Sequence, residues 1–164
     1  LFINLVTDSL PAIAIGMEHS TRDILKEKPR DPSVGILTPA TMKQLGVQGI
    51  LIAIVTMSAY FLGLKESWEI ATTMAFSTLC LSRLFHGFNC RSQRSLYRIG
   101  LFTNKYSILA FIIGFCFLNA ILLWQPLHSL FSVTTITITQ LFTIYGLAFL
   151  PTLLIQAGRM LRHR

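Results

Sequence analysis

Long apolar runs separated by short polar segments organise the chain. Residues 46–64 form an uncharged run of 19 residues, and comparable runs cover residues 70–88, 106–123 and 134–155. A helix needs about 20 apolar residues to cross the hydrocarbon core of a bilayer. Residues 1–16 are also largely apolar, but they are long enough for only part of a crossing. The pattern predicts an all-α fold, a polytopic transmembrane helical bundle made of the second half of one helix and four membrane-spanning helices.

The composition agrees with a membrane protein. The chain has 164 residues, of which 52% are hydrophobic and only 13% charged, and its mean hydropathy is +0.60. A soluble domain usually carries about 25% charged residues. The chain starts with Leu1 inside an apolar run and has no signal-peptide pattern, so we expect a fragment of a longer protein.

The basic residues predict the orientation of the bundle. Residues 17–45, 89–105 and 159–164 hold 12 of the 14 Lys and Arg residues, whereas residues 65–69 and 124–132 hold only one. Loops rich in Lys and Arg remain on the cytoplasmic side of a membrane. The basic segments, including the C-terminus, are therefore expected to be cytoplasmic. The formal net charge of +7 is explained by topology, and no nucleic-acid partner is expected.

These observations divide the chain into four segments. The predicted segments are half of a discontinuous helix at 1–16, a cytoplasmic loop at 17–45, four transmembrane helices with short loops at 46–158 and a basic cytoplasmic tail at 159–164. Prolines and glycines in the loop, including Pro39, are expected to break any long helix there. The lipid bilayer is the expected partner of the four spanning helices.

Residues 4–12, which read NLVTDSLPA, place a cluster of oxygen atoms in an apolar run. In an α-helix, Asn4, Thr7 and Asp8 would share one face. Pro11 has no N–H, so the carbonyl oxygen of Thr7 loses its usual α-helical donor. Carboxylate, amide and carbonyl oxygens are ligands that suit hard cations such as Ca²⁺. The alternative is a polar helix end without a ligand.

Arg83 is the other candidate functional residue because it lies inside the predicted span 70–88. A charged residue within a span costs about 2.5–3.5 kcal/mol on insertion scales and usually has a function. The alternative is snorkelling, because the long side chain could reach the cytoplasmic interface five residues away. The position alone leaves both interpretations open.

Threonines alternate with Val and Ile across residues 134–139. In water this alternation of period two is typical of a strand. An open strand cannot satisfy its backbone inside a bilayer, so we expect the fourth spanning helix to begin at Thr134.

The chain resembles type-II P-type ATPases, the calcium pumps of the sarco/endoplasmic-reticulum kind and their bacterial relatives. Residues 4–12 resemble NLVTDGLPA in the sixth membrane helix of that family. Residues 23–30, DILKEKPR, resemble its DIMxxPPR loop, with Lys28 in place of the first proline. Residues 73–76, TMAF, resemble the start of its eighth helix, and residues 123–127, LWQPL, resemble the YxPL turn between its helices nine and ten. The chain is therefore similar to the second half of helix six and helices seven to ten.

The resemblance implies roles for individual residues. Asn4 and Asp8 would be ligands of the transported Ca²⁺, with Asp8 central, and Thr7 is a further candidate. One family site also takes a glutamate from helix eight, and Arg83 stands at that position here. A guanidinium cannot ligate Ca²⁺, but it can pair with Asp8. We therefore expect one of two sites to be lost and a single Ca²⁺ to move per cycle, which puts Thr7 in doubt.

The resemblance also implies a parent enzyme, an ATP-dependent calcium translocase that needs ATP and Mg²⁺. The sequence contains no phosphorylation or nucleotide-binding motif, so those sites are expected on the missing N-terminal part, which comprises helices one to five and the cytoplasmic domains. Asp23, Pro29 and Arg30 would contact the phosphorylated cytoplasmic domain. The expected location is a bacterial plasma membrane.

Two other interpretations use the same residues. Secondary transporters and channels also have broken helices with carboxylates near the membrane midplane, although the ordered motifs favour the pump. The chain could also be a purely structural membrane scaffold with the ion site elsewhere. A site made only of oxygen ligands suits Mn²⁺ as well as Ca²⁺.

Overall fold

The computed structural model describes residues 5–18, 35, 37–92, 96 and 100–162, and this part of the chain contains helices and no strand. The predicted all-α fold is confirmed. The helices are α1 (Leu10–Gly16), which continues a π-helical turn at Leu5–Ser9, α2 (Pro39–Leu64), α3 (Trp68–Cys90), α4 (Lys105–Leu123), the short α5 (His128–Phe131) and α6 (Ile138–Arg162). Single 3₁₀ turns at Leu101–Thr103 and Gln125–Leu127 precede α4 and α5.

Helix α2 begins seven residues before the predicted span, within the segment assigned to the cytoplasmic loop. The side chain of Thr38 accepts a hydrogen bond from the N–H of Thr41 at 3.2 Å. Pro39 occupies the first turn, where a missing N–H costs nothing. The expectation that Pro39 breaks a helix is therefore wrong, because at this position a proline starts one.

Helix α6 begins later than expected, because residues 134–137 are not helical. The N–H of Thr134 donates to the hydroxyl of Thr73 on α3 at 3.0 Å. The N–H of Gln140 donates to the hydroxyl of Thr137, whose own N–H donates to the side-chain carbonyl of Gln140 at 2.7 Å. This reciprocal cap starts α6. The prediction of helix from Thr134 is wrong because side chains satisfy these backbone groups.

Helix α3 lies at the centre of the bundle and contacts α1, α2, α4 and α6. The largest buried apolar side chains of the core are Leu81, Leu84, Leu118, Ile121, Leu122 and Ile144, from α3, α4 and α6. Within the described residues, α2, α4 and α6 are long and apolar enough to cross a membrane by length and composition. Helix α3 is not among these three, since it carries Arg83 and several hydroxyl side chains, which make it less apolar. Its predicted crossing stays a prediction.

Small residues allow α2 and α3 to pack closely where the chain turns between them. Ala59 and Gly63 lie four residues apart on α2 and are buried, and Ala71 of α3 is fully buried. A Cβ atom at Gly63 would lie 2.7 Å from the Cα of Ala71. Close backbone contact at small residues is typical of helix pairs in membranes. Gly63 is therefore needed for the tight connection between the two helices.

Gly63→Ala is expected to lower the free energy of unfolding by about 1–3 kcal/mol, because the clash involves backbone that cannot rotate away. The measurement is the thermal unfolding midpoint of the detergent-solubilised protein. Gly49→Ala on the same helix is the matched control, since its Cβ meets nothing within 4 Å. That control should leave stability unchanged or raise it by about 0.5–1 kcal/mol. Equal effects of the two substitutions would contradict the role of Gly63.

Candidate ion-binding site

The predicted ligands Thr7 and Asp8 lie in the π-helical turn Leu5–Ser9, directly before α1. A π-helical turn replaces the α-helical hydrogen-bond spacing by a wider one and occurs frequently at functional sites. Pro11, in the first turn of α1, cannot donate to the carbonyl of Thr7. The α-helical spacing used in the prediction does not apply here, and the side chain of Thr7 is buried whereas that of Asp8 is exposed. Asn4 lies outside the described residues.

Asp8 and Arg83 form an ion pair between this turn and α3. The Nη1 atom of Arg83 donates to Oδ2 of Asp8 at 2.9 Å. The expected pairing of these two residues is found, and the guanidinium of Arg83 reaches from α3 to the carboxylate of Asp8. The bond uses one oxygen of Asp8, so its Oδ1 takes no part in it.

The ion pair lies on an open side of the bundle. The side chains of Asp8 and Arg83 are 49% and 39% exposed. Charged groups within a membrane span are stable when they face protein or a water-filled cavity rather than lipid chains. This side of the bundle is therefore suited to contact with protein or an aqueous path rather than with lipid.

A second ion pair holds the opposite end of α1. Arg91 directly follows α3, and its side chain has no exposed surface. Its Nε and Nη2 atoms each donate to one carboxylate oxygen of Glu18 at 2.8 Å, and Nη1 donates to the carbonyl of Leu101 at 2.9 Å. Asn104 donates to the carboxylate of Glu18 at 2.6 Å and to the carbonyl of Ala14 at 2.9 Å. We call Glu18, Arg91 and Asn104 the α1 clamp.

The sequence interpretation missed the α1 clamp. Its only signal in the sequence is an acidic residue, Glu18, just past one apolar run and a basic residue, Arg91, just past another on the same predicted side. Many charged residues lie at such positions without forming pairs. Only the packing of α1 against α3 identifies these two as partners.

The described residues do not form a complete metal site. In the described ranges, no group of three or more His, Cys, Asp and Glu residues is placed to hold a metal ion. Ca²⁺ takes six to eight oxygen ligands, so Asp8 could supply only part of such a site. Asp23, Pro29 and Arg30 lie outside the described residues, and their contact with a cytoplasmic domain stays a prediction.

Comparison with known proteins identifies the family. Residues 1–161 match the family described as "Cation transporting ATPase, C-terminus". The chain belongs to this family. A calcium-transporting ATPase of Bacillus subtilis is 34% identical over the whole of this chain, one of Listeria monocytogenes is 44% identical over 70% of it, and the rat calcium-transporting ATPase type 2C member 2 is 32% identical over 90% of it.

The chain spans only 19%, 13% and 16% of the length of these three relatives. As the C-terminal region of a cation-transporting ATPase, the chain is part of an integral membrane protein, and α2, α4 and α6 have the length and composition of its spans. The resemblance seen in the sequence motifs is confirmed at the level of the family.

Proposed function

We propose that this cation-ATPase C-terminal region supplies part of the ion site of an ATP-driven Ca²⁺ pump. The observation that carries the proposal is the Asp8–Arg83 pair. Its carboxylate lies in a π-helical turn and faces an open side of a membrane bundle. The relatives are named calcium-transporting ATPases, which supports Ca²⁺ over Mn²⁺ as the transported ion.

Asp8 is the central Ca²⁺ ligand in this proposal. The bond to Arg83 uses Oδ2 of Asp8. In this proposal Oδ1 coordinates the ion while the pair with Arg83 is intact. Asn4 supplies an amide oxygen four residues earlier in the chain. The buried side chain of Thr7 makes it the weakest of the three candidates.

Arg83 limits the site to one ion in this proposal. The guanidinium is a permanent positive charge within hydrogen-bond distance of Asp8. A second divalent cation beside Asp8 would meet that charge at close range, where repulsion is strong in a site of low dielectric constant. The pump is therefore proposed to move one Ca²⁺ per cycle.

The remaining parts of the pump lie outside this chain in the proposal. Helices one to five and the cytoplasmic domains would complete the ion site and bind ATP and Mg²⁺, and the loop with Asp23, Pro29 and Arg30 would contact the phosphorylated domain. The bundle would cross a bacterial plasma membrane with its C-terminus in the cytoplasm, as the distribution of basic residues supports.

The proposal predicts ATP-dependent, vanadate-sensitive Ca²⁺ uptake into inverted vesicles that contain the full-length pump. At saturating Ca²⁺, equilibrium binding with radioactive Ca²⁺ should give one ion per pump, because Arg83 occupies the place of a second. Two bound ions per pump would contradict the single-ion proposal. Uptake driven by an ion gradient without ATP would contradict the pump itself.

A further inference from the structure

Among the described residues, two ion pairs that differ in burial connect the segment containing α1 to α3 and to Arg91, which directly follows α3. Asp8 pairs with Arg83, and ten residues later Glu18 pairs with Arg91, eight residues beyond Arg83. In both pairs the acid belongs to the N-terminal segment and the base to the α3 segment. Eight residues of helix correspond to about 12 Å along α3. The two pairs therefore hold α1 at two separated levels.

The two ion pairs differ in how strongly they connect the two segments. In the Asp8–Arg83 pair, Nη1 of Arg83 donates to one oxygen of Asp8, and both side chains are half-exposed. The Arg91 side chain is fully buried, binds both oxygens of Glu18 and also donates to the carbonyl of Leu101. Removing one partner of a buried, fully hydrogen-bonded pair leaves an uncompensated charge, so such a pair resists opening far more than an exposed one.

Asn104 extends the α1 clamp to a third helix. Its side-chain carbonyl accepts from the N–H of Ser107 and so caps α4, while its amide group donates to Glu18 and to the carbonyl of Ala14. The carbonyl of Ala14, in the last turn of α1, also accepts from the N–H of Met17 at 3.3 Å, so the bond from Asn104 is a second one to the same oxygen. The end of α1 is thus bonded to both α3 and α4.

We infer that Arg91 is a positioning residue. Together with Glu18 and Asn104 it keeps α1 fixed on α3 and α4, while the ion-dependent changes occur in the π-helical turn Leu5–Ser9. The inference rests on the proposed function only in that Asp8 binds the ion. Pro11 separates the two parts, since it removes a backbone hydrogen bond between α1 and the turn. The α1 clamp then sets the distance between Asp8 and Arg83, and with it the affinity for the ion.

The test compares Arg91→Met with the wild-type full-length pump. We expect the Ca²⁺ concentration for half-maximal ATPase activity to rise roughly 2- to 30-fold, the range seen for residues that act on a site without touching the ligand, with a much smaller change in maximal rate. Hydrogen exchange should show lost protection of the amides of residues 12–18. Arg91→Lys keeps the charge but not the two-pronged bond, and it should restore part of both properties.

Arg159→Met is the matched control. Arg159 donates to the carbonyls of Asn89 and Ser92 at the same end of α3, but these bonds link α3 to α6 and not to α1. It should leave the Ca²⁺ dependence and the exchange of residues 12–18 unchanged. An equal shift in affinity for Arg91→Met and Arg159→Met would overturn the inference.

Hydrogen exchange separates failure of this inference from failure of the proposed function. In the wild-type pump, Ca²⁺ should change exchange in residues 5–10 and leave residues 12–18 unchanged. A Ca²⁺-dependent change in residues 12–18 would overturn the inference while supporting the ion site. If Ca²⁺ has no effect on any amide, the proposed ion site fails, and the loss of protection of residues 12–18 in ion-free Arg91→Met still decides whether Arg91 holds α1.

Discussion

Asp8→Asn in the full-length pump is expected to raise the Ca²⁺ concentration for half-maximal ATPase activity by about 100-fold or more, and to abolish uptake at micromolar Ca²⁺. The affinity of oxygen ligands for Ca²⁺ depends strongly on the number of carboxylates, and Asp8 is the only carboxylate in the turn before α1. The substitution also leaves Arg83 beside a neutral amide, so the positive charge near the site no longer faces a carboxylate at position 8. The measurement is ATPase activity and radioactive Ca²⁺ uptake over a range of Ca²⁺ concentrations.

Glu69→Gln is the matched control for this prediction. Glu69 is an exposed carboxylate in the first turn of α3, at the opposite end of that helix from Arg91. Its loss changes the net charge by the same amount and should leave the Ca²⁺ dependence unchanged. Normal uptake by Asp8→Asn would mean that the ion site lies elsewhere and that this region is a structural scaffold.

Arg83→Glu is expected to have the second largest effect, which is to increase the number of Ca²⁺ ions bound from one to two or to strengthen the binding of one. The substitution removes a fixed positive charge 2.9 Å from Asp8 and places a carboxylate on α3 in its place. Two carboxylates close together repel each other, and a divalent cation between them relieves that repulsion. Equilibrium Ca²⁺ binding to the purified full-length pump gives both the number of ions and the affinity.

Arg83→Gln separates the effect of losing the positive charge from the effect of adding a carboxylate. It removes the positive charge without adding a carboxylate, so it should strengthen the binding of one ion and leave the count at one. If both Arg83 variants reach the membrane in normal amounts and bind one Ca²⁺ with wild-type affinity, Arg83 does not shape the site. Lower membrane insertion with unchanged binding would favour a role for Arg83 in anchoring α3 at the interface.

The helices of the bundle could be predicted from the sequence, whereas some of their ends could not. Uncharged apolar runs predict α2 and α4 because a backbone in lipid must satisfy its own hydrogen bonds. The start of α2 at Pro39 and the start of α6 after Thr137 differ from the prediction. Both starts depend on hydrogen bonds between side chains and the backbone, which hydropathy does not measure.

The sequence indicates candidate residues for the ion site but not their geometry. The string NLVTDSLPA and the position of Arg83 indicate which residues to examine. The pairing of Arg83 with Asp8 was expected because the family resemblance places Arg83 at the position of a site glutamate, and the structure contains this pair. The π-helical turn at Leu5–Ser9 was not predicted, since the spacing argument assumed a regular α-helix. As a result, the different burial of Thr7 and Asp8 became visible only in the folded chain.

The sequence by itself determined the helical class, the number of apolar runs and the family, because these depend on local composition and on short motifs. The tertiary structure alone decided which charges meet. Arg91 and Glu18 are separated by 73 residues, and Asn104 is 86 residues from Glu18. No pattern along the chain selects such partners, since the selection is made when α1 packs against α3 and α4 and buries a guanidinium that then requires a carboxylate.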